Sequence, residues 1–155
     1  MIGILLTLLT YLGMEGVTCC THKFVMHGSM WYFHEDHHPP HGGFFEKNDA
    51  FFLTFAVPSC LLIVFGSTAA FDWRFYVGIG ILLYGLSYFL IHDVLIHQRF
   101  DWFSRTDNVY FRAIRKAHKI HHKQLNKHDS ECFGMLYVPR KYFIEAAQYR
   151  KKINK

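Results

Sequence analysis

Ten of the chain's twelve histidines fall into one pattern that occurs twice. The first copy reads His22-x4-His27 and then His34-x2-His37-His38; the second reads His92-x4-His97 and then His118-x2-His121-His122. Neutral imidazole ligates zinc, iron and copper readily, so repetition at fixed spacing points to metal. Positions i, i+3 and i+4 share a helix face, and each HxxHH string is expected to present its imidazoles as a fan in one direction. The five-residue step of the His-x4-His pairs turns through about 140° on an α-helix, which places them near helix ends or makes them depend on side-chain reach. Two six-coordinate metals offer about twelve positions, so ten protein ligands leave a few for water or dioxygen. A single zinc needs only about three or four. His41 and His128 lie outside the pattern and are read as ordinary histidines.

An all-imidazole pair of metals leaves positive charge uncompensated, so carboxylates are expected just outside the ligands, orienting ring N–H groups. Glu15, Asp36, Asp93 and Asp129 are the candidates. Glu15 precedes His22 by two turns along one helix face, and an acid in an apolar segment is costly enough to need a purpose. Two other readings use the same letters. The run His34 to His38 satisfies HExxH, in which two histidines hold zinc and Glu35 would be the general base of a protease. The second box, His118-Lys119-Ile120-His121-His122, lacks that glutamate, and a protease leaves eight patterned histidines without a task. Glu35-x-x-His38 is also half of a ferritin-like carboxylate site, whose remaining glutamates are missing. A non-catalytic membrane metal-binding protein would instead line a path through its spans with ligands.

The elements that must carry these residues are apolar helices. Of the 155 residues, 51% are hydrophobic and 19% charged. Such a composition excludes disorder. The run from Ala50 to Phe71 holds no charge. As a helix it is long enough to cross the roughly 30 Å of a bilayer's hydrocarbon. Phe75 to Ile91 is a second such run, with Gly78, Gly80 and Gly85 available for close helix approach. Ile2 to Thr21 is a third, interrupted by Glu15. The expected fold class is an all-α integral membrane bundle in one domain, with spans at about 2–21, 50–71 and 75–96. Histidine-rich segments cover about 22–49 and 97–139, and a basic tail 140–155.

Two spans separate the polar stretches, so both emerge on one side and all the histidines meet there. Only Lys23, Lys47 and Arg74 of the 17 Lys and Arg residues precede His97, so that side is read as cytoplasmic. The same bias explains the net charge of +5 without nucleic acid, for which no binding module is present. Four cysteines without CxxC spacing suggest no disulfide framework. No GxGxxG or P-loop string is present, so electrons for any redox chemistry must come from a separate carrier. Arg105, Arg112, Arg115, Lys116, Lys119 and Lys123 crowd the second HxxHH box, where an acidic, ferredoxin-like donor would dock.

Together, the strings His22-Lys-Phe-Val-Met-His27-Gly, His34-Glu-Asp-His37-His38, Phe45-Glu-Lys-Asn-Asp49, His92-Asp-Val-Leu-Ile-His97-Gln-Arg99 and Ala117-His-Lys-Ile-His-His122 have a familiar order. From about Met14 to Pro139 the chain resembles the bacterial β-carotene hydroxylases of the fatty acid hydroxylase/sterol desaturase superfamily. The resemblance implies a non-haem di-iron monooxygenase of the inner membrane, acting at its cytoplasmic side. Its substrate would be a carotenoid drawn from the lipid bilayer, hydroxylated at position 3 of the β-ionone ring to give cryptoxanthin and then zeaxanthin. Related fatty acid or sterol hydroxylases and desaturases are the alternative. The implied metal ligands are His22, His27, His34, His37, His38, His92, His97, His118, His121 and His122. They would hold two iron ions, with zinc as a possible substitute, dioxygen as co-substrate and an external reductant. The resemblance also implies four membrane helices, against three apolar segments here. Gly43-Phe44-Phe45 and the run Cys132 to Leu136 flank the boxes and are the candidates for an apolar lining.

Overall fold

The computed structural model describes residues 1–38, 45–102, 106–124 and 131–153, and all regular structure among them is helical. Helix α1 (Ile2–Cys20) runs on into π-helical turns over Thr21–Ser29. A short α2 (Trp31–His34) passes into a 3-10 turn at Glu35–His37. Then come α3 (Asp49–Thr68) and α4 (Trp73–Tyr88), the latter extended by π-helical turns over Phe89–Ile96. Beyond them lie α5 (Val109–His121) and α6 (Arg140–Ile153). The expected residues His41, Gly43, Phe44, Arg105, His128 and Asp129 lie outside the described residues.

Three stretches, Ile2–Ser29, Asp49–Thr68 and Trp73–Ile96, are long and apolar enough to cross a membrane. Their outward side chains agree with that. Leu5, Leu8 and Leu12 of α1 and Leu53, Val57, Leu61 and Val64 of α3 are exposed. An apolar face of that extent suits lipid and not water.

Helix α4 is the middle of the three, packed by α1 on one side and α3 on the other. Its glycines allow both contacts. A Cβ on Gly78 would sit 2.8 Å from Ile63 and 2.9 Å from the Ser59 carbonyl oxygen, and one on Gly80 would sit 2.6 Å from Thr10. Hydroxyls then bond across the close interfaces, from Ser59 Oγ to the Gly78 carbonyl at 2.8 Å and from Thr7 Oγ1 to the Tyr76 carbonyl at 3.1 Å. Such bonds between helices in lipid are worth about 0.6–2 kcal/mol each. Gly85 faces open space and serves no such contact.

Helices α5 and α6 form a core of their own. Asn108 caps α5, its Oδ1 accepting from the Tyr110 and Phe111 N–H groups, which satisfies donors the first turn leaves unpaired. One face of α5 buries Ala113, Ile114 and Ala117 against Val138, Tyr142 and Ala146, and it also carries His118 and His121 inward. Between α5 and α6 the segment Glu131–Pro139 returns to the membrane helices, where Met135 packs with Met14 and Tyr84.

Candidate metal centre

The first His-x4-His string lies on one π-helical stretch, and the second starts on the other with His97 as the residue that caps it. In a π-helix the bond runs from residue i to i+5, so residues five apart come onto one face. Met30 N–H donates to the Val25 carbonyl at 2.9 Å, and His97 N–H to the His92 carbonyl at 2.9 Å. The rings of His22 and His27 are therefore 5.1 Å apart between centroids, and those of His92 and His97 4.5 Å. The awkward rotation expected on an α-helix is removed by winding each helix more loosely where it carries histidine.

The HxxHH strings do not act as single fans. His22, His27, His34 and His121 bring one ligand nitrogen each within 4.8 Å of all the others, and so do His37, His97, His118 and His122. His38 joins the first group with its Nε2 3.2 Å from His34 Nε2, and His92 joins the second at 3.1 Å from His37 Nε2. Each group thus takes four histidines from one copy of the pattern and the middle histidine of the HxxHH string from the other copy. The expectation of one direction per string fails because positions i+3 and i+4 lie about 100° apart around a helix. His38 and His122 lock the two groups together: their rings stack at 4.7 Å, and each Nδ1–H donates to the other's carbonyl at 3.3 Å.

Tautomers decide what these groups can bind. The Nδ1 of His22 faces the Phe133 carbonyl at 2.9 Å, that of His34 faces Asn48 Oδ1 at 2.7 Å, and that of His121 faces the Glu131 carbonyl at 3.1 Å. With the proton held on Nδ1, each Nε2 is a bare lone pair. Yet His22 Nε2 lies 3.0 Å from His34 Nε2 and 3.1 Å from His121 Nε2. Lone pairs at that distance repel unless a cation lies between them. Metal–nitrogen bonds of about 2.1 Å at right angles put cis nitrogens about 3.0 Å apart, so the spacing fits coordination. In the second group His97 and His118 have Nε2 atoms 3.1 Å apart, and His122 Nε2 is buried with no hydrogen-bond partner among the described residues.

Protonation of the rings would not relieve the repulsion, because burial disfavours imidazolium. Burial pulls His34 down to about 3, against its bond to Asn48, and His38 to about 4. It takes His122 to about 3, with His38 adding to the effect, and His121 to about 2, with His27 adding. His37, His97 and His118 are likewise pushed far below the usual range by burial first and their neighbour His92 second. All of them stand ready as neutral ligands.

The three expected carboxylates among the described residues, Glu15, Asp36 and Asp93, make their hydrogen bonds elsewhere than on the rings. Glu15 reaches none of the rings directly: its Oε1 accepts from the Met135, Leu136 and Tyr137 N–H groups at 2.9, 2.8 and 3.1 Å, and its Oε2 from Tyr84 Oη at 2.8 Å. Asp36 accepts from the Lys47 backbone N–H at 2.9 Å. Asp93 Oδ1 lies 3.7 Å from His92 Nδ1, beyond hydrogen-bond range, and pairs instead with Arg99 Nε at 3.3 Å. The residues that do orient rings were not singled out: Asn48 on His34, and Glu46, whose Oε2 takes the His37 Nδ1–H at 2.7 Å. Their signal was present in the string Phe45 to Asp49. Arg99 gathers Glu46, Asp49 and Asp93 at 3.0, 3.0 and 3.3 Å, and so fixes the second group from outside. Glu35 of the HExxH string pairs outward with Lys47 at 3.2 Å, away from the rings it would have to serve as a protease base.

Both groups open on one cavity of about 10 Å³. That is roughly the volume that admits one water-sized guest. His22, His92 and His118 line it together with Tyr88, Ile96, Ile114 and the run Cys132 to Met135. Of the expected lining, Cys132, Phe133, Gly134 and Met135 are in place, whereas Phe45 is 83% exposed. Cys132 takes a left-handed φ of 65° directly beside the rings. That conformation is costly for any residue but glycine.

The family profile of the fatty acid hydroxylases matches residues 7–139. A β-carotene hydroxylase of Pantoea ananas is 39% identical over 135 residues, covering 87% of this chain and 77% of the relative. One of Pseudescherichia vulneris is 36% identical over 148 residues, covering 94% and 82%. A chloroplastic β-carotene 3-hydroxylase of Gentiana lutea is 35% identical over 131 residues, 83% of this chain and 40% of the plant protein. No solved structure matches. With its doubled histidine pattern, its apolar helices and a match over most of its length, the chain belongs to the fatty acid hydroxylase family.

Proposed function

We propose that the protein is a membrane β-carotene 3-hydroxylase with two iron ions, one in each five-histidine group, converting β-carotene through cryptoxanthin to zeaxanthin. The observation that carries this reading is the pair of all-histidine groups facing one small cavity at the ends of membrane helices. The names of the relatives supply the substrate. Each turnover breaks one ring C–H bond and one O–O bond: with two electrons and two protons, dioxygen gives one hydroxyl and one water. The metals supply dioxygen activation when bound, and zinc, which has no redox chemistry, fits the ligands but not the reaction. The chain holds ten imidazole nitrogens in place, flanks them with Ile96, Ile114, Phe133 and Met135, and must admit the ring from the bilayer side.

The histidine end faces the cytoplasm at the inner membrane, on the strength of the basic residues beyond His97. Electrons arrive from an acidic, ferredoxin-like carrier. It meets a groove of about 570 Å³ lined by Arg112, Arg115, Lys116 and Lys119, on the helix that leads into the second HxxHH string. Expression in carotene-accumulating cells tests the substrate. Chromatography should show cryptoxanthin and zeaxanthin, while unchanged β-carotene beside metal-loaded protein would contradict the reading, and hydroxylated lipids or sterols would redirect it.

A further inference from the structure

The segment Glu131–Tyr137 is a strap tied at both ends. At one end the Glu131 carboxyl accepts from Tyr142 Oη and Lys141 Nζ of α6. At the other, three successive N–H groups converge on Glu15 Oε1 inside α1. Gly134 makes that convergence possible, because a Cβ there would sit 2.5 Å from Glu15 Oε1. Between its ties the strap turns two carbonyls toward histidine: Phe133 to His22 Nδ1 and Glu131 to His121 Nδ1. The Phe133 ring stands edge-on to His22, His27 and His121, with centroids at 5.5, 5.4 and 5.1 Å. Every one of these contacts goes to the first histidine group. The second group has its own support in Glu46 and Arg99.

We propose that Glu15 is a positioning residue for one metal site only, the site of His22, His27, His34, His38 and His121, and that it acts at a distance through the strap. The inference rests on the reading that both groups hold metal. Removing the carboxyl leaves three inward N–H groups without their acceptor, so the strap lifts and the Phe133 and Glu131 carbonyls no longer hold the first group's rings in the ligating tautomer. Loss of such an outer partner costs roughly 10–100-fold in metal affinity.

The test uses purified full-length protein in detergent, stripped and reloaded with cobalt(II), reading cobalt per chain. Wild type should bind two. Glu15→Ala should bind one tightly and the other at least about tenfold more weakly. Glu15→Gln, which keeps an acceptor oxygen, should recover toward wild type. Gly134→Ala, which leaves every ionisable group intact, should reproduce Glu15→Ala and serves where that variant does not accumulate. Adding His121→Ala to Glu15→Ala should abolish only the weakened site and leave the tight one, whereas adding His97→Ala should abolish the tight one and leave only the weak. Two cobalts held at wild-type affinity in Glu15→Ala and in Gly134→Ala, or equal weakening of both sites, would overturn the proposal. Wild type binding fewer than two would instead sink the two-metal reading beneath it.

Discussion

At the scale of the residue, six of the ten histidines, His22, His34, His37, His38, His121 and His122, turn Nδ1 to an oxygen acceptor. The types and spacing of all ten were legible in the sequence, because a doubled pattern of imidazoles is the arrangement a metal site calls for. Their outer partners were less so: Asn48 and Glu46 come from a loop after the first box, and spacing along the chain says nothing about which ring they meet. Glu15 was legible as a costly acid with a purpose, but its bonds run to backbone N–H groups some 120 residues away. Burial of neutral rings has a consequence for stability. In metal-free protein the unfolded chain binds protons below about pH 6.5. Burial meanwhile holds His34 and His122 to about 3 and His38 to about 4. The unfolded state therefore carries more protons throughout that window, and stability must fall as pH drops from about 6.5, by up to about 1.4 kcal/mol per pH unit for each such ring. Denaturant titrations of the metal-free protein at pH 7 and pH 5 should show this loss; equal midpoints would mean that the rings are not held neutral.

At the scale of the element, the membrane helices followed from uncharged runs, since length and apolarity are what lipid demands. The π-helical turns did not, because a five-residue histidine spacing is equally compatible with an α-helix ending early. The same limit hid the exchange of middle histidines, which needs two helices in their true orientation. That exchange makes a sharp prediction. His37 and His97 share a group, so the double variant His37→Ala, His97→Ala should retain one metal per chain by elemental analysis. His121 and His97 lie in different groups, so His121→Ala, His97→Ala should retain none. The reverse result would mean that each box serves its own metal.

At the scale of the whole molecule, the histidine groups gather at one end of three helices apolar enough to cross a membrane, and α5 joins that end to a basic groove. Within the groove Arg112 pairs with Asp107 and Lys116 with Glu145, which leaves a net positive face. Attraction to an acidic carrier should weaken as salt shortens the Debye length. Turnover with reduced ferredoxin should fall with ionic strength, and Arg112→Glu with Lys119→Glu should raise the carrier's KM while leaving metal content unchanged. A rate indifferent to both would remove the groove as docking site. The reaction itself is tested most directly by giving the purified, iron-loaded protein β-carotene, an electron carrier and heavy-oxygen-labelled dioxygen, then reading the product by mass spectrometry. The expected result is a ring hydroxyl at position 3 whose oxygen comes from the labelled gas; unlabelled hydroxyl, or no hydroxylated carotenoid from protein holding both metals, would contradict a paired-iron hydroxylase.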